Sequence, residues 1–334
     1  MCPRVAILYN DPIPGRYGTM GEAKAVLGVL DEVQAVRQSF EELGYTTVLA
    51  PVRPPLARVK EQLETLDVDL VFNLFEGFDG HPETEAAVAD MLSEVGLIFT
   101  GCSSKALALA LDKGKTKALL KKAGIETPDY QILNPQTLSL FNLSFPCIIK
   151  PAAEDASHGI SEESVVNDQK SLEKQVAKVS QLYGGRALVE EYVDGREFNA
   201  LVLCGSEPKV FPVSEIVYSL PPGKPKILTY SAKWEPESIY YQSSEAICPA
   251  QVEDVIRERI VDTVRRAFMA VIGSGYGRVD MRLDKDGCPK VMEVNPNPDI
   301  SPDAGITLQI QAAGLTYTQF IERVATLAFE RAQR

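Results

Sequence analysis

Short apolar runs alternate with amphipathic stretches of helical period through the first hundred residues, and no other feature restricts the fold as much. Residues 5–9, 46–49 and 70–73 read as buried strands. Between the first two, apolar side chains recur at helical spacing: Val26, Val29, Leu30, Val33, Val36, Phe40 and Leu43. Gly44 supplies the left-handed stop. A second helical stretch, 56–66, precedes the third strand. Strands joined in this way need crossover helices, and crossovers make the strands parallel. The pattern predicts a Rossmann-like first domain, residues 1–101.

Helical stretches at 105–111 and 116–123 follow, and Gly124 and Pro128 mark the exit of the second. A short strand then ends at Lys150-Pro151, and a polar loop, 152–159, comes after it. With a helix at 172–182 and a strand at 187–192, this predicts a small α+β domain over 102–191. The remainder, 192–334, reads as a third domain. Its strands are 197–203, 278–283 and 290–294, its helices 252–272 and 318–332, and a loop surrounds 221–225.

A chain of 334 residues, 45% hydrophobic and 24% charged, has enough apolar material for two or three cores. No run approaches the roughly 20 apolar residues of a membrane span. The first residues lack a charged segment followed by a long apolar one, so no signal peptide is expected. The net charge is −12 and no Lys/Arg cluster stands out, which argues against a polynucleotide partner. Six cysteines without a CxxC pair, and only two histidines, do not make a zinc site. Scattered thiols fit a reducing compartment, so a cytoplasmic location is expected.

The stretch 277–295 carries the chemistry. Asp286-Gly287 between two β-type runs is a hairpin signal. If those two residues are the turn, Lys285 pairs with Cys288, Asp280 lies opposite Glu293, and Arg278 lies opposite Asn295. Alternation then puts Arg278, Asp280 and Arg282 on one face and Val279, Met281 and Leu283 on the core face. Facing carboxylates repel. A bound divalent cation offsets that, since Asp, Glu and an Asn carbonyl are hard oxygen ligands suited to magnesium beside phosphates. Screening of a solvated face by Arg278 and Arg282 would also offset it, and spacing alone leaves both readings open.

Arg278-Val-Asp280 followed by Glu293-Val-Asn295 resembles the metal-binding end of ATP-grasp enzymes, in particular the D-alanine–D-alanine ligase family. The likeness extends over almost the whole chain, strongest at 112–150 and 187–295. It implies an α/β, three-domain ATP-grasp fold: an N-terminal parallel-sheet domain plus two α+β domains that clamp ATP. It further implies that Asp280, Glu293 and Asn295 hold magnesium or manganese on the ATP phosphates. Arg278 then stabilises a tetrahedral oxyanion, a role suited to a fixed positive charge. Lys113, Lys150 and Lys233 match phosphate-binding lysines. Read by itself, Lys113 sits in a run with Lys115, Lys117, Lys121 and Lys122 that looks like a solvated helix face. Glu190, Glu191, Val193 and Glu197 match the adenosine site, with Glu190 on the adenine amino group and Glu197 on the ribose.

Departures from the family concentrate at the amino-acid sites. The loop reads Ala152-Ala-Glu-Asp-Ala-Ser157-His158-Gly159, with Ala156 in place of a serine, and Trp234 stands at a tyrosine position. Glu32 matches the glutamate that holds the first amino acid's ammonium group. Phe75-Glu76-Gly77 replaces a His-Gly element. Asp299 replaces a glycine, and Asp303 lies in the following serine-containing segment. The family binds the second amino acid's carboxylate there, so both residues bring negative charge to a site built for an anion.

Taken together, the resemblance implies catalytic roles for Arg278, Lys233 and Glu32, and substrate contacts for Ser157, Trp234, Asp299 and Asp303. It implies an acylphosphate mechanism, small amino-acid or amine substrates, and a homodimer. Three functions stand: a ligase with a donor or acceptor other than plain D-alanine, a true D-alanine–D-alanine ligase, and a non-catalytic ATP-binding protein.

Overall fold

The structure, a computed structural model, describes residues 3–12, 15–21, 24, 27–78 and 80–333; Cys2 and Val26 lie outside the described residues. Its first strands, β1 (Arg4–Asn10), β2 (Thr46–Val52) and β3 (Leu70–Asn73), form a parallel sheet in the order β2-β1-β3. A short helix α1 (Arg16–Thr19) follows β1, and α2 (Val29–Glu42) and α3 (Leu56–Glu64) provide the crossovers. Helix α4 (Thr84–Val95) follows β3. β1 is buried at every position after Arg4, as a strand covered on both faces must be. Val5 and Ile7 pack with Val33, Val36 and Phe40 of α2. Ala6 and Leu8 pack with Val59 and Leu63 of α3 and Val88 and Leu92 of α4.

Helices α5 (Ser104–Leu111) and α6 (Lys113–Lys122) lead to an antiparallel sheet of β4 (Tyr130–Leu133), β5 (Cys147–Pro151), β6 (Val165–Val166) and β7 (Ala187–Glu191). Its order is β4-β7-β5-β6, and α7 (Gln169–Leu182) covers one face. Leu172, Val176 and Val179 of α7 close a separate apolar core against Cys147, Ile149 and Val189.

The last sheet contains β8 (Glu197–Cys204), β9 (Pro208–Val210), β10 (Ser214–Tyr218), β11 (Ser244–Ile247), β12 (Gly275–Leu283) and β13 (Pro289–Pro296). Its order is β11-β10-β8-β12-β13, with β9 paired to β8. Helices α8 (Tyr230–Trp234) and α9 (Ile239–Gln242) lie between β10 and β11. Helix α10 (Asp254–Val271) precedes β12, and α11 (Gly305–Ala312) and α12 (Tyr317–Ala332) end the chain. On β8, Phe198, Ala200 and Val202 join the core that holds Ala6 and Leu8, while Leu201 and Leu203 join the one that holds Val5 and Ile7. The first and last sheets therefore share both cores and form one base. The α8–α9 segment leaves that base: Ile227, Ala232 and Tyr240 pack on Ile148 of the middle sheet, arching over the cleft between lobe and base.

The hairpin keeps the expected pairs by an unexpected route. Asp280 faces Glu293 and Arg278 faces Asn295. The turn, however, begins one residue earlier. The Asp284 carboxylate accepts from the N–H groups of Asp286 (2.9 Å) and Cys288 (2.8 Å), and its carbonyl accepts from Gly287 N–H (3.0 Å). Gly287 takes the left-handed conformation at φ 71°. Leu283 consequently pairs with Pro289, and a bulge between Asp280 and Met281 restores the original count. The Val291 N–H donates to the Glu126 carbonyl at 2.8 Å. The bulge turns Val291 into the core and leaves Met292 and Glu293 on the cleft side.

At the edge of the cleft, Gly195 lies against β12 so closely that an added Cβ would stand 1.7 Å from the Leu283 carbonyl oxygen. Gly195→Ala is expected to cost about 2 kcal/mol or more. The cost should register as a lower urea midpoint, and an unchanged midpoint would show that the two segments part easily.

Candidate active site

A cleft of about 940 Å³ separates the middle lobe from the base, and the face of β12 and β13 carrying Arg278, Asp280, Glu293 and Asn295 forms its floor. Arg278 donates two hydrogen bonds to Asp280, at 2.6 and 2.8 Å. Asn295 Nδ2 donates to Asp280 Oδ2 at 2.9 Å, which leaves the amide oxygen as a free acceptor. Glu293 accepts from Lys113, the first residue of α6. Burial opposes ionisation of Glu293, but Lys113, Lys150 and Lys233 outweigh it and hold its carboxyl below the usual range. The facing carboxylates thus each have a cation of the protein's own. Arg282 does not screen them, because it turns toward Glu197. The repulsion expected between them is met by this pairing within the protein.

Magnesium fits this donor set. Among the described residues no group of three or more His, Cys, Asp or Glu side chains forms a metal cage. Magnesium does not require one, since it takes one or two carboxylates together with phosphate oxygens and water.

The lysine run of α6 is not a solvated face throughout. Asp112 caps the helix by accepting from Lys115 N–H at 3.0 Å. Lys117 points inward, 1% exposed, and binds Thr127 Oγ1 (2.7 Å) and the Glu190 carboxylate. Glu190 is fully buried, and Lys150 donates to its other oxygen at 3.0 Å. Both oxygens of Glu190 therefore face ammonium groups, an arrangement that holds Lys150 in place. Lys233, on α8, reaches the cleft; burial first, then Arg278, lower its pKa.

At the opposite end, Glu197 accepts from Tyr218 Oη (2.8 Å) and Arg282 Nε (3.1 Å). Arg282, almost wholly buried, also donates to the Val193 carbonyl at 2.8 Å and lies over the Tyr192 ring at 5.5 Å. Glu191 is exposed at the end of β7. Ile148, Tyr192, Ile227 and Met292 add apolar walls. Met292 escaped the sequence reading, and Arg282 was placed on the right face but read only as a screening charge. For Arg282 the signal was present, a charged residue at a cleft-facing position of a buried strand.

The remaining predicted residues divide. Glu32, on α2, is buried and accepts from Ile300 N–H at 3.0 Å. Its carboxyl lies beside that of Asp299. Burial, then Glu76 and Asp299, push Glu32 up. Burial also opposes ionisation of Asp299, but the bonds from Glu32 and Ser301 lower it. Glu76 joins the pair and is pushed up to about 8 by burial, Asp299 and Asp155. It keeps contact with water, so it is screened more than Glu32. Glu85 is raised by burial, Asp155 and Glu76. Ser157 lines the cleft in the loop after β5. Trp234 Nε1 donates to the Ala156 carbonyl at 3.5 Å. Asp303 is exposed and is not brought to the others.

Residues 119–326 match the family profile described as the D-ala D-ala ligase C-terminus. The chain is 31% identical to an uncharacterised protein, y4sG, of Sinorhizobium fredii, over 89% of this chain and 87% of that one. It is 28% identical to a D-alanine–D-alanine ligase of Desulforudis audaxviator, over 89% of this chain and 92% of the relative. Its fold matches the crystal structure of a D-alanine–D-alanine ligase from Bacillus anthracis complexed with ATP. The TM-score is 0.74 at 18% identity, covering 100% of this chain and 99% of that chain. No helix among the described residues is long and apolar enough to cross a membrane.

The raised carboxyls have a consequence for stability. A group that binds its proton more tightly when folded stabilises the fold below its unfolded pKa, and that contribution is lost as pH rises through the folded value. Resistance to urea should therefore fall from the ordinary carboxylate range up to about pH 8, the region set by Glu76. Glu76→Gln should flatten that decline. Equal slopes for the two proteins in urea melts across this range would remove Glu76 from the cause.

Proposed function

The chain belongs to the D-alanine–D-alanine ligase family, and from that membership we propose that it joins an amino-acid carboxylate to an amine through an acylphosphate, with a donor or acceptor other than plain D-alanine. It is an ATP-grasp ligase that forms a C–N bond at the expense of ATP. That excludes the reading as a non-catalytic ATP-binding protein. The observation that supports the substrate reading is the acidic group of Glu32, Asp299 and Glu76, whose Asp299 lies near Arg278 of the cleft floor.

In this reading Lys113, Lys150 and Lys233 face the phosphates as point charges. Glu190 and Lys117 hold Lys150 from behind. Glu197, oriented by Arg282, accepts from the ribose hydroxyls, and Met292 packs on the base. Asp280, Glu293 and the Asn295 oxygen would hold magnesium, which when bound neutralises phosphate charge. Arg278 stands on the same floor with its guanidinium fixed by Asp280, ready to stabilise an oxyanion as the amine attacks. Positioning and charge neutralisation account for the chemistry, with no covalent enzyme intermediate.

At the amino-acid end the chain presents carboxylates. A substrate carboxylate beside Asp299 is repelled unless a cation intervenes. An additional ammonium group on the substrate instead gains from Asp299, whose carboxyl is held below the usual range. A true D-alanine–D-alanine ligase remains the second reading, favoured by the named relatives.

Asp280→Asn and Glu293→Gln are each expected to lower metal-dependent turnover on the order of 100-fold. The melting temperature should stay within about 5 °C. Turnover at the unmodified level would remove these residues from the metal site. The substrate is read from ADP release over D- and L-amino acids, alone and in pairs, with mass spectrometry of the product. A pair in which one member carries an extra ammonium group should exceed D-alanine alone by about tenfold. Asp299→Gly should narrow that gap. If D-alanine alone turns over as fast as the best pair, the second reading holds and the substitution at Asp299 is without effect on choice.

A further inference from the structure

Three segments distant in sequence meet over the cleft through aromatic rings. Tyr17 of α1 stacks face to face on His158, with ring centroids 3.9 Å apart and planes 6° from parallel. His158 in turn lies 5.8 Å from Tyr230 of α8, and Tyr230 lies 6.4 Å from Trp234. The Tyr17 hydroxyl donates to Glu154 at 2.5 Å. Tyr17, Glu154 and His158 are all buried. Further hydrogen bonds tie the same parts together: Tyr230 N–H donates to the Ile160 carbonyl at 3.0 Å, and Lys24 Nζ donates to the Trp234 carbonyl at 3.1 Å.

The loop between Glu154 and His158 is itself strained. Ala156 and Ser157 are consecutive non-glycine residues in the left-handed region, at φ 51° and 61°. Such conformations persist only where the surroundings over-determine them. The contacts at either end of the pair, Tyr17 on Glu154 and Tyr17 on His158, supply that constraint. Ala156 and Trp234 stand where the resembled family has a serine and a tyrosine, so this chain closes its loop with stacked rings and one buried carboxylate instead.

We propose that Tyr17, Glu154 and His158 form a latch that holds the loop 152–159 over the cleft and keeps water from the activated carboxylate. The inference rests on the reading of the cleft as the ATP site. These are positioning residues: they act through the loop and through Ser157, which it carries. The step they guard is the fate of the acylphosphate. Attack by the amine breaks the acyl C–O bond, forms the amide and releases phosphate. Attack by water breaks the same bond and returns the free carboxylate and phosphate, so one ATP is consumed without a product.

The test compares Tyr17→Phe, Tyr17→Ala and His158→Phe with the unmodified enzyme. Three quantities are read: ADP formed per amide, KM for ATP against kcat, and hydrogen exchange of residues 152–160 without nucleotide. Tyr17→Ala should raise the KM for ATP and the ADP-to-amide ratio, the KM by about tenfold, the scale of one hydrogen bond to a charged group. It should also speed exchange in the loop. Tyr17→Phe keeps the ring and should fall between the two, while His158→Phe should stay near the unmodified enzyme. Normal coupling, KM and exchange in a folded Tyr17→Ala protein would overturn the latch. If the unmodified chain fails to bind ATP at this cleft, the site assignment falls, and the exchange measurement alone decides whether Tyr17 holds the loop.

Discussion

Asp280 and Glu293 stand directly opposite each other on β12 and β13, and the way the chain neutralises them organises much else. Arg278, two residues before Asp280, takes one carboxylate with a two-pronged bond. Lys113 takes the other from the first turn of α6. The Lys113 N–H also binds the Ala152 carbonyl at 3.1 Å, so the residue that neutralises Glu293 anchors the start of the loop over the cleft. The like-charge pair thus draws the base, α6 and the middle lobe to one point. In the proposed reading a nucleotide with its metal would meet a floor whose charges are already balanced and can be re-partnered rather than built anew.

The same economy of buried charge appears behind that floor. Glu190, fully enclosed, is held by Lys117 and Lys150. Burial penalises its ionised form, yet the two lysines lower its pKa below the usual value. Breaking such a cluster by removing one member is costly because the others are left unpaired in a low-dielectric interior. The acidic end of the cleft is the reverse case. There Glu32, Glu76 and Asp299 face one another with few cations near, and protons make up the difference.

Much of this was legible in the sequence because it rests on local periodicity. The parallel sheet, the long helices and the register of Asp280 with Glu293 follow from apolar spacing and a turn signal. Short edge strands were not legible. β10 and β11 are brief and partly exposed, and only pairing makes them strands, β10 with β8 and β11 with β10. Lys117 was misread because a run of lysines at close spacing looks like a solvated face, and nothing in the run says which member turns inward. Glu76 was noticed as a departure from a pattern, but its place beside Glu32 and Asp299 depends on packing between the first sheet and the segment after β13. Nothing in the sequence linked Tyr17, in a one-turn helix, to His158, in the loop after β5; tertiary structure brings them together.

The hairpin has one more consequence. Its turn and its bulge each displace the ladder by one position, in opposite senses, so the Asp280–Glu293 pair is indifferent to whether both are present or both absent. The residues between them are not. With both present, Val291 enters the core and Met292 faces the cleft; with neither, the two would exchange places. The Asp284 side chain, at the tip of the hairpin, therefore decides which of two neighbouring side chains the cleft wall displays. Gain or loss of a single residue at the tip is compatible with this fold only when a matching change at the bulge accompanies it, so the two ends of the hairpin must drift through evolution as one inherited unit.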